Sequence, residues 1–440
     1  MRVLLISANT ETRSMPTLPL GPAGVVAATR NAGHQAALLN LMFEADPDSS
    51  IRASIEEFRP DVIGISVRNI DDQNMSQPRF LLAPVREVVA TCRSLCGAPI
   101  ILGGAGYSIF PQSALRYLGA DMGIQGEGEV VFPLLVDRIG KGGEVSDLPG
   151  LYLPRHVNAD AVAAATHAAP QPGRPAQGRS FEKNLDALPL PEAGLWIPSG
   201  ADTRDLWVPV QSRRGCPLDC TFCSTSAIEG RALRRRSPTR VVKWLVELRE
   251  AGCRNFNFVD NTFNLPLTWA KDLCRQVIQA ELDLNLWCLI YPKWIDTELV
   301  ELMRRAGCRQ ISFGFESGSD RMLRGLNKRF GQKEVSAVSK MFVEAGIERM
   351  GFLLLGGPAE TKDSVEESLA FADSLRLEAL KITVGLRIYP HTPLARTALA
   401  QGVIRVEEDL LLPKFYLTPQ LRDWLPERVA SYRASRSWVS

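Results

Sequence analysis

The stretch Arg213-Arg214-Gly215-Cys216-Pro217-Leu218-Asp219-Cys220-Thr221-Phe222-Cys223 sets three of the chain's nine cysteines at Cys-x3-Cys-x2-Cys spacing, directly behind an apolar strand pattern, Trp207–Ser212. Three thiolates on one short loop containing Gly and Pro can wrap a small inorganic centre. Iron–sulfur clusters are held by cysteine thiolates, normally four for a 4Fe-4S cluster, so a set of three leaves one iron open to a ligand from outside the protein. Zinc would require a fourth nearby Cys or His, and the nearest ones outside the loop are His167 and Cys253. A zinc site and merely adjacent structural cysteines are the alternatives. The other cysteines (Cys92, Cys96, Cys253, Cys274, Cys288 and Cys308) and the four histidines are scattered. With no export signal, a disulfide framework is not expected.

Outward from the loop, the chain alternates strand and helix. Downstream of Trp207–Ser212, strand patterns at Phe256–Asp260, Leu284–Ile290, Gln310–Phe315, Arg349–Leu355 and Leu380–Ile388 are separated by helical ones. Six strands with intervening helices make a partial (β/α)6 barrel across residues 206–400, short of the eight strands of a complete one. Ser237-Pro238 supplies an N-cap and first position for the first of these helices. Upstream, residues 1–150 carry strand patterns at Val3–Ser7, Ala36–Leu41, Asp61–Val67, Pro99–Leu102 and Met122–Ile124, with helices between them. That alternation predicts a doubly wound, Rossmann-like parallel sheet, which binds ligands at the carboxyl ends of its strands. Residues 151–205, which include an Ala/Pro/Gly/Gln-rich run from Arg155 to Arg179, read as a linker, and residues 401–440 as a small helical tail.

The balance of 51 basic against 49 acidic residues creates no global field for nucleic acid or an anionic membrane. No apolar run reaches the ~18 residues of a membrane span, and Met1–Ser7 reads as a strand rather than a leader. A soluble, cytoplasmic protein is expected. Arg234-Arg235-Arg236 reads as a solvated edge, and Lys293 as a candidate substrate contact.

The cysteine loop, with Phe222 before its last thiol, resembles the signature of the radical SAM superfamily. The resemblance implies that Cys216, Cys220 and Cys223 hold a 4Fe-4S cluster whose open iron takes S-adenosylmethionine, which on reduction yields a 5′-deoxyadenosyl radical. It further implies S-adenosylmethionine contacts from Phe222, from Asp260, from Glu316 and Ser317 in Gly314-Phe315-Glu316-Ser317-Gly318, from Gly356, and from Arg387. The segment Arg387-Ile388-Tyr389-Pro390-His391-Thr392-Pro393 resembles the family's Tyr-Pro-Gly-Thr-Pro segment with His391 in place of glycine, making Tyr389 and His391 candidates for a catalytic part.

The amino-terminal sheet resembles the cobalamin-binding domain that precedes the barrel in one large class of this superfamily. Ser66, Gly103, Gly104, Gly126 and Glu127 are the candidate cobalamin residues. The family's Asp-x-His-x-x-Gly is absent after the first strand, where Ser7-Ala8-Asn9-Thr10-Glu11 contains no histidine, so a cobalamin here would lack a histidine below cobalt. The class implies methylation of an unactivated carbon through the deoxyadenosyl radical and methylcobalamin. Its alternatives are a cyclase or rearrangement enzyme without net methyl transfer, or a non-catalytic cobalamin or iron–sulfur sensor. The implied partners are a small-molecule or peptide substrate and an electron donor such as flavodoxin or ferredoxin.

Overall fold

Strands β1 (Arg2–Ser7), β2 (Gln35–Asn40), β3 (Val62–Ser66), β4 (Ile100–Gly103) and β5 (Met122–Ile124) run parallel in the order β2-β1-β3-β4-β5, and β6 (Leu151–Tyr152) adds antiparallel to β5. The central strands are almost wholly apolar because helices cover both faces of the sheet. Strand order reverses between β1 and β3, where Ser7 and Ser66 stand side by side at the carboxyl ends. That crevice is where a sheet of this order takes its ligand. The computed structural model describes residues 1–11, 17–154, 178–197 and 206–440.

The second sheet starts at β7 (Trp207–Val210), which leads into a two-stranded ribbon of β8 (Arg213–Arg214) and β9 (Arg234–Arg235). Strands β10 (Asn255–Phe258), β11 (Asn285–Ile290), β12 (Cys308–Glu316), β13 (Glu348–Leu355) and β14 (Ala379–Val384) then join β7 in the parallel order β14-β13-β12-β11-β10-β7. This is the six-stranded partial barrel expected. The last strand is shorter than Leu380–Ile388, because Gly385 (φ +76°) breaks it against Met75 of the first domain. Beyond that break, β15 (Leu386–Arg387) pairs antiparallel with β16 (Phe415–Tyr416).

The boundaries differ from the sequence reading in three ways. Leu151–Tyr152 is a strand of the first sheet, not the start of a linker. The described residues 178–197 are packed, with Leu185 and Leu188 buried and Trp196 stacked on Trp244 at 6.3 Å; the rest of the Arg155–Arg179 run lies outside the described residues. Nor is the tail a separate element. Leu425, Val429 and Tyr432 of helix Leu425–Ala434 enter the barrel core, and Leu380 N–H donates to the Trp438 carbonyl (2.8 Å) at the β14 edge. Ile404, Leu410, Leu411 and Tyr416 share a second core with Phe110 and Leu115 of the first domain. Among the described residues, no helix is long and apolar enough to cross a membrane.

Candidate active site

The cysteine loop leaves β8 through Gly215 (φ +84°), where a Cβ would collide with the Ala232 carbonyl. Only glycine permits that approach. The loop is then held at several points, by Cys216 N–H on the Gly230 carbonyl (3.2 Å), Cys223 N–H on that of Cys220 (3.2 Å) and Thr221 N–H on that of Leu326 (3.2 Å). All three cysteines line one cavity of about 2620 Å³, walled by Phe110, Gln125 and Tyr152 of the first domain and by Pro390, His391 and Thr392 of the barrel. Ordinary ligand pockets measure roughly 300–1,000 Å³, so this one has room for more than one molecule. Thr225 N–H donates to Cys223 Sγ (3.5 Å), while the Thr225 hydroxyl accepts from that thiol (3.2 Å) and donates to Asn261 Oδ1 (3.4 Å). Three soft donors open to one cavity suit a cluster held by three thiolates. Among the described residues, no group of three or more His, Cys, Asp or Glu is placed to hold a single metal ion.

Beside this loop lies an ion pair that the sequence did not reveal. Lys328 Nζ is 3.0 Å from Glu316 Oε1, both side chains being buried, and its ammonium sits 5.3 Å from the centre of the Phe222 ring. Burial alone would lower the Lys328 pKa; the Glu316 carboxylate and the adjacent Cys220 thiol reverse this and hold it above the ordinary lysine range. Glu316 has φ +61° at a register shift in β12, and its carboxylate folds back over Gly314, where a Cβ would collide with it. A non-glycine residue so strained, at the carboxyl end of a barrel strand, is the kind that functional sites retain. Phe222 and Glu316 thus both lie against Lys328 beside the cysteine loop.

Several other candidates are tied into structural contacts. Asp260 is fully buried, accepting from Ser212 N–H (2.8 Å), the Ser212 hydroxyl and Arg213 N–H (3.1 Å) and facing Arg213 Nε at 3.4 Å. Burial pushes its carboxyl up despite these donors. Both oxygens are thus committed to pinning the entry of the cysteine loop. The Ser317 hydroxyl meets that of Ser368 (2.9 Å) and accepts from Ser319 N–H, shaping a turn. Gly356 (φ +99°) is closed off by Leu417 of the tail. Arg387 forms a buried ion pair with Asp71 (2.8 Å) and donates to the Leu410 carbonyl (2.9 Å), pinning the two domains together. Of the Arg234–Arg236 run, Arg234 and Arg236 are buried rather than solvated, and Lys293 binds the Arg329 carbonyl instead of facing the cavity. His391, at φ +63°, is exposed on the cavity rim. Tyr389 packs against Phe110 (6.3 Å between rings), and burial followed by the Asp71 carboxylate raises its phenol pKa.

The five candidate cobalamin residues converge. Ser66, Gly103, Gly104, Gly126 and Glu127 all line a narrow slot of about 170 Å³ at the carboxyl ends of β1, β3 and β4. Its floor is apolar, with Leu5, Ile65, Ile101 and Phe132. Glycine keeps it open: a Cβ on Gly64 would come within 3.2 Å of both Leu5 and Phe132, and one on Gly104 (φ +100°) would meet the Val67 carbonyl at 2.5 Å. A thin apolar slot of bare backbone fits a flat nucleotide base. His34 sits near Asp137 (3.3 Å) at the opposite, amino-terminal edge of the sheet and is no cobalt ligand. The Glu127 carboxylate, though on the slot wall, is committed to Arg234 (2.5 Å) and to Glu182 N–H (2.9 Å).

Residues 6–136 match the B12 binding domain and residues 210–372 the Radical SAM superfamily. The chain thus carries a B12-binding domain followed by a radical SAM domain. Its cofactors are a 4Fe-4S cluster, S-adenosylmethionine and cobalamin. This radical SAM chain is 27% identical over 414 residues to an uncharacterized methyltransferase of Pyrococcus horikoshii, covering 92% of the present chain and 84% of the relative. It is 24% identical over 436 residues to tryptophan 2-C-methyltransferase of Streptomyces laurentii, covering 88% and 73%. The fold matches the radical S-adenosylmethionine methyltransferase TsrM of Kitasatospora setae, solved with cobalamin and a [4Fe-4S] cluster, at TM-score 0.84 and 22% identity over 99% of this chain and 90% of that one.

Proposed function

We propose that this radical SAM protein transfers the methyl group of S-adenosylmethionine to an unactivated carbon of a small-molecule substrate. The observation that carries the reading is convergence: the three thiols of the cysteine loop open on a cavity walled by both domains, and the glycine slot lies against the same loop. When bound, the cluster and cobalamin supply the reductive and methyl-carrying chemistry that no side chain offers.

The chain's own residues bind, orient and exclude water. Cys216, Cys220 and Cys223 hold the cluster, and Thr225 orients Cys223 through its N–H and hydroxyl. The Lys328–Glu316 pair offers one cation and one anion to the amino-acid end of S-adenosylmethionine, which carries both charges. Ser66, Gly103, Gly104 and Gly126 form the bare wall that admits a nucleotide tail. Phe110 and Tyr152 screen the cavity from the first-domain side, and His391 at its rim is placed to meet substrate. The Tyr389 phenol, kept protonated by its burial, is available to hold a proton near Cys223.

The substrate is a small molecule or a short peptide segment; one solved relative was crystallised with tryptophan. The electron donor is a flavodoxin or ferredoxin, and the compartment the cytoplasm. The test is incubation of the anaerobically reconstituted chain with methyl-labelled S-adenosylmethionine and candidate substrates. Labelled product supports methyl transfer; deoxyadenosine with an unlabelled, rearranged product would instead point to a cyclase, an activity one more distant relative carries.

A further inference from the structure

Arg214 stands two residues ahead of Cys216, yet its guanidinium points away from the cysteine loop toward the first domain. There Nη1 and Nη2 meet Glu129 Oε2 (3.2 Å) and Oε1 (2.5 Å) side by side, and Nη1 lies 3.5 Å from Glu127 Oε1. Its Nε donates to Gln211 Oε1 (2.9 Å), and Gln211 Nε2 in turn donates to Glu229 Oε1 (2.9 Å). Glu229 closes the circuit, since its other oxygen accepts the N–H of Gly215 (3.0 Å), the residue just before Cys216. Arg234 reinforces the wall from its other side through Glu127 (2.5 Å) and the Glu229 carbonyl (2.8 Å). Arg214, Gln211, Glu229, Glu127 and Glu129 all line the nucleotide slot.

We propose that Arg214 is a positioning residue that couples the two cofactor sites, so that a nucleotide tail in the slot and a cluster on the cysteine loop each favour binding of the other. The inference rests on the assignment of the slot to cobalamin. Several physical points carry it. The side chains of Arg214, Arg234, Glu127 and Glu129 are 6 to 14% exposed, and burying so many charges is a poor device for stability alone, because desolvation offsets most of the attraction. A planar fork against a carboxylate does, however, fix position and angle more tightly than apolar packing. The circuit joins sequence neighbours of Cys216 to residues 85 or more positions away on another domain, which makes the loop's geometry depend on the slot wall. A tail in the slot touches Gln211, Arg214 and Glu229 directly and so reduces the freedom of the loop that must close around the cluster. Coupling of this sort is reciprocal and commonly 5- to 150-fold.

The experiment compares the full-length chain before and after anaerobic reconstitution with iron and sulfide, using hydroxocobalamin as the probe and equilibrium dialysis as the readout. In the wild type, loading the cluster is expected to tighten the hydroxocobalamin Kd at least ~5-fold. In Arg214→Ala and in the isosteric Glu129→Gln, that ratio should fall below ~2-fold, while Arg214→Lys, which keeps the charge but loses the fork, should lie between. A merely structural role would weaken both Kd values together and leave the ratio untouched. Circular dichroism checks folding; should Arg214→Ala fail to fold, Glu129→Gln decides. A wild-type ratio near one, or an unchanged ratio in the folded variants, overturns the coupling while leaving the cobalamin reading intact. A wild type that binds hydroxocobalamin in neither state overturns the slot assignment itself.

Discussion

Gly103→Leu isolates the cobalamin slot from everything else. Gly103 ends β4, lines the slot, has an ordinary negative φ, and a Cβ built on it meets no heavy atom within 4 Å. A Cβ there meets no neighbour, and the rest of a leucine side chain takes up space in a slot of only about 170 Å³. Fold stability should therefore stay within about 0.5 kcal/mol, as at open positions generally. An aromatic ring system the size of a tryptophan buries roughly 150–250 Å². At ~25 cal/mol per Å² that burial is worth about 4–6 kcal/mol. Losing even a third of it costs about 1.3–2 kcal/mol, or ~10- to 30-fold in Kd, and complete exclusion far more. Equilibrium dialysis against hydroxocobalamin reads the change, with Gly97→Leu as the control: that position is exposed, equally free of neighbours within 4 Å, and outside the slot. A Gly103→Leu chain that melts like the wild type and binds hydroxocobalamin within threefold of it would refute the placement of the tail.

Further outcomes follow from the same structure. Cys220→Ala should abolish retention of iron and sulfide after reconstitution and remove the broad visible absorbance, with hydroxocobalamin still bound; metal analysis and spectroscopy check this. Lys328→Met leaves the buried Glu316 without its partner and should destabilise the chain by about 3–5 kcal/mol in denaturant titrations. Adding Glu316→Gln should recover much of that loss, whereas S-adenosylmethionine binding should stay weak in both variants. The Glu360 carboxyl, 1% exposed, is pushed up by burial to about 7 despite the N–H groups of Gly356 and Gly357. Its folded form thus holds a proton that the unfolded chain, titrating near ~4.3, has lost, so stability declines as pH rises from about 4.5 to 7. Relative to Glu360→Gln, the wild type should lose about 2–3 kcal/mol between pH 5 and pH 8, and parallel profiles for the two proteins would count against it.

The periodic features were legible in the sequence. Short apolar runs such as Val3–Ser7 and Asp61–Val67 read as strands covered on both faces, and their alternation with helices pointed to parallel pairing. The cysteine spacing was legible for the same reason, because it is local. What escaped is long-range polar pairing. Asp260 and Arg387 sit at strand ends where a ligand contact and a structural pin look identical; only Ser212 and Arg213 around the first, and Asp71, 316 residues from the second, tell them apart. Arg234 and Arg236 read as solvated because a basic run usually is, and the Glu127 carboxylate and the Leu185 and Leu188 carbonyls that receive them are 48 to 107 residues distant. Lys328 follows a turn residue with φ +58°, Asn327, a setting that carries no signal of burial. The end of the barrel differs because Gly385, inside the expected strand Leu380–Ile388, marks where the chain turns to join the first domain's core.

In the proposed function, one chain brings S-adenosylmethionine at the cysteine loop and cobalamin at the glycine slot together for methyl transfer. The most direct measurement incubates the reconstituted, reduced, hydroxocobalamin-loaded chain with methyl-labelled S-adenosylmethionine and follows the label by mass spectrometry. Label should appear in the cobalamin fraction from the wild type and be nearly absent from that of Gly103→Leu. A wild-type chain that binds both cofactors yet leaves all label on S-adenosylmethionine would contradict it.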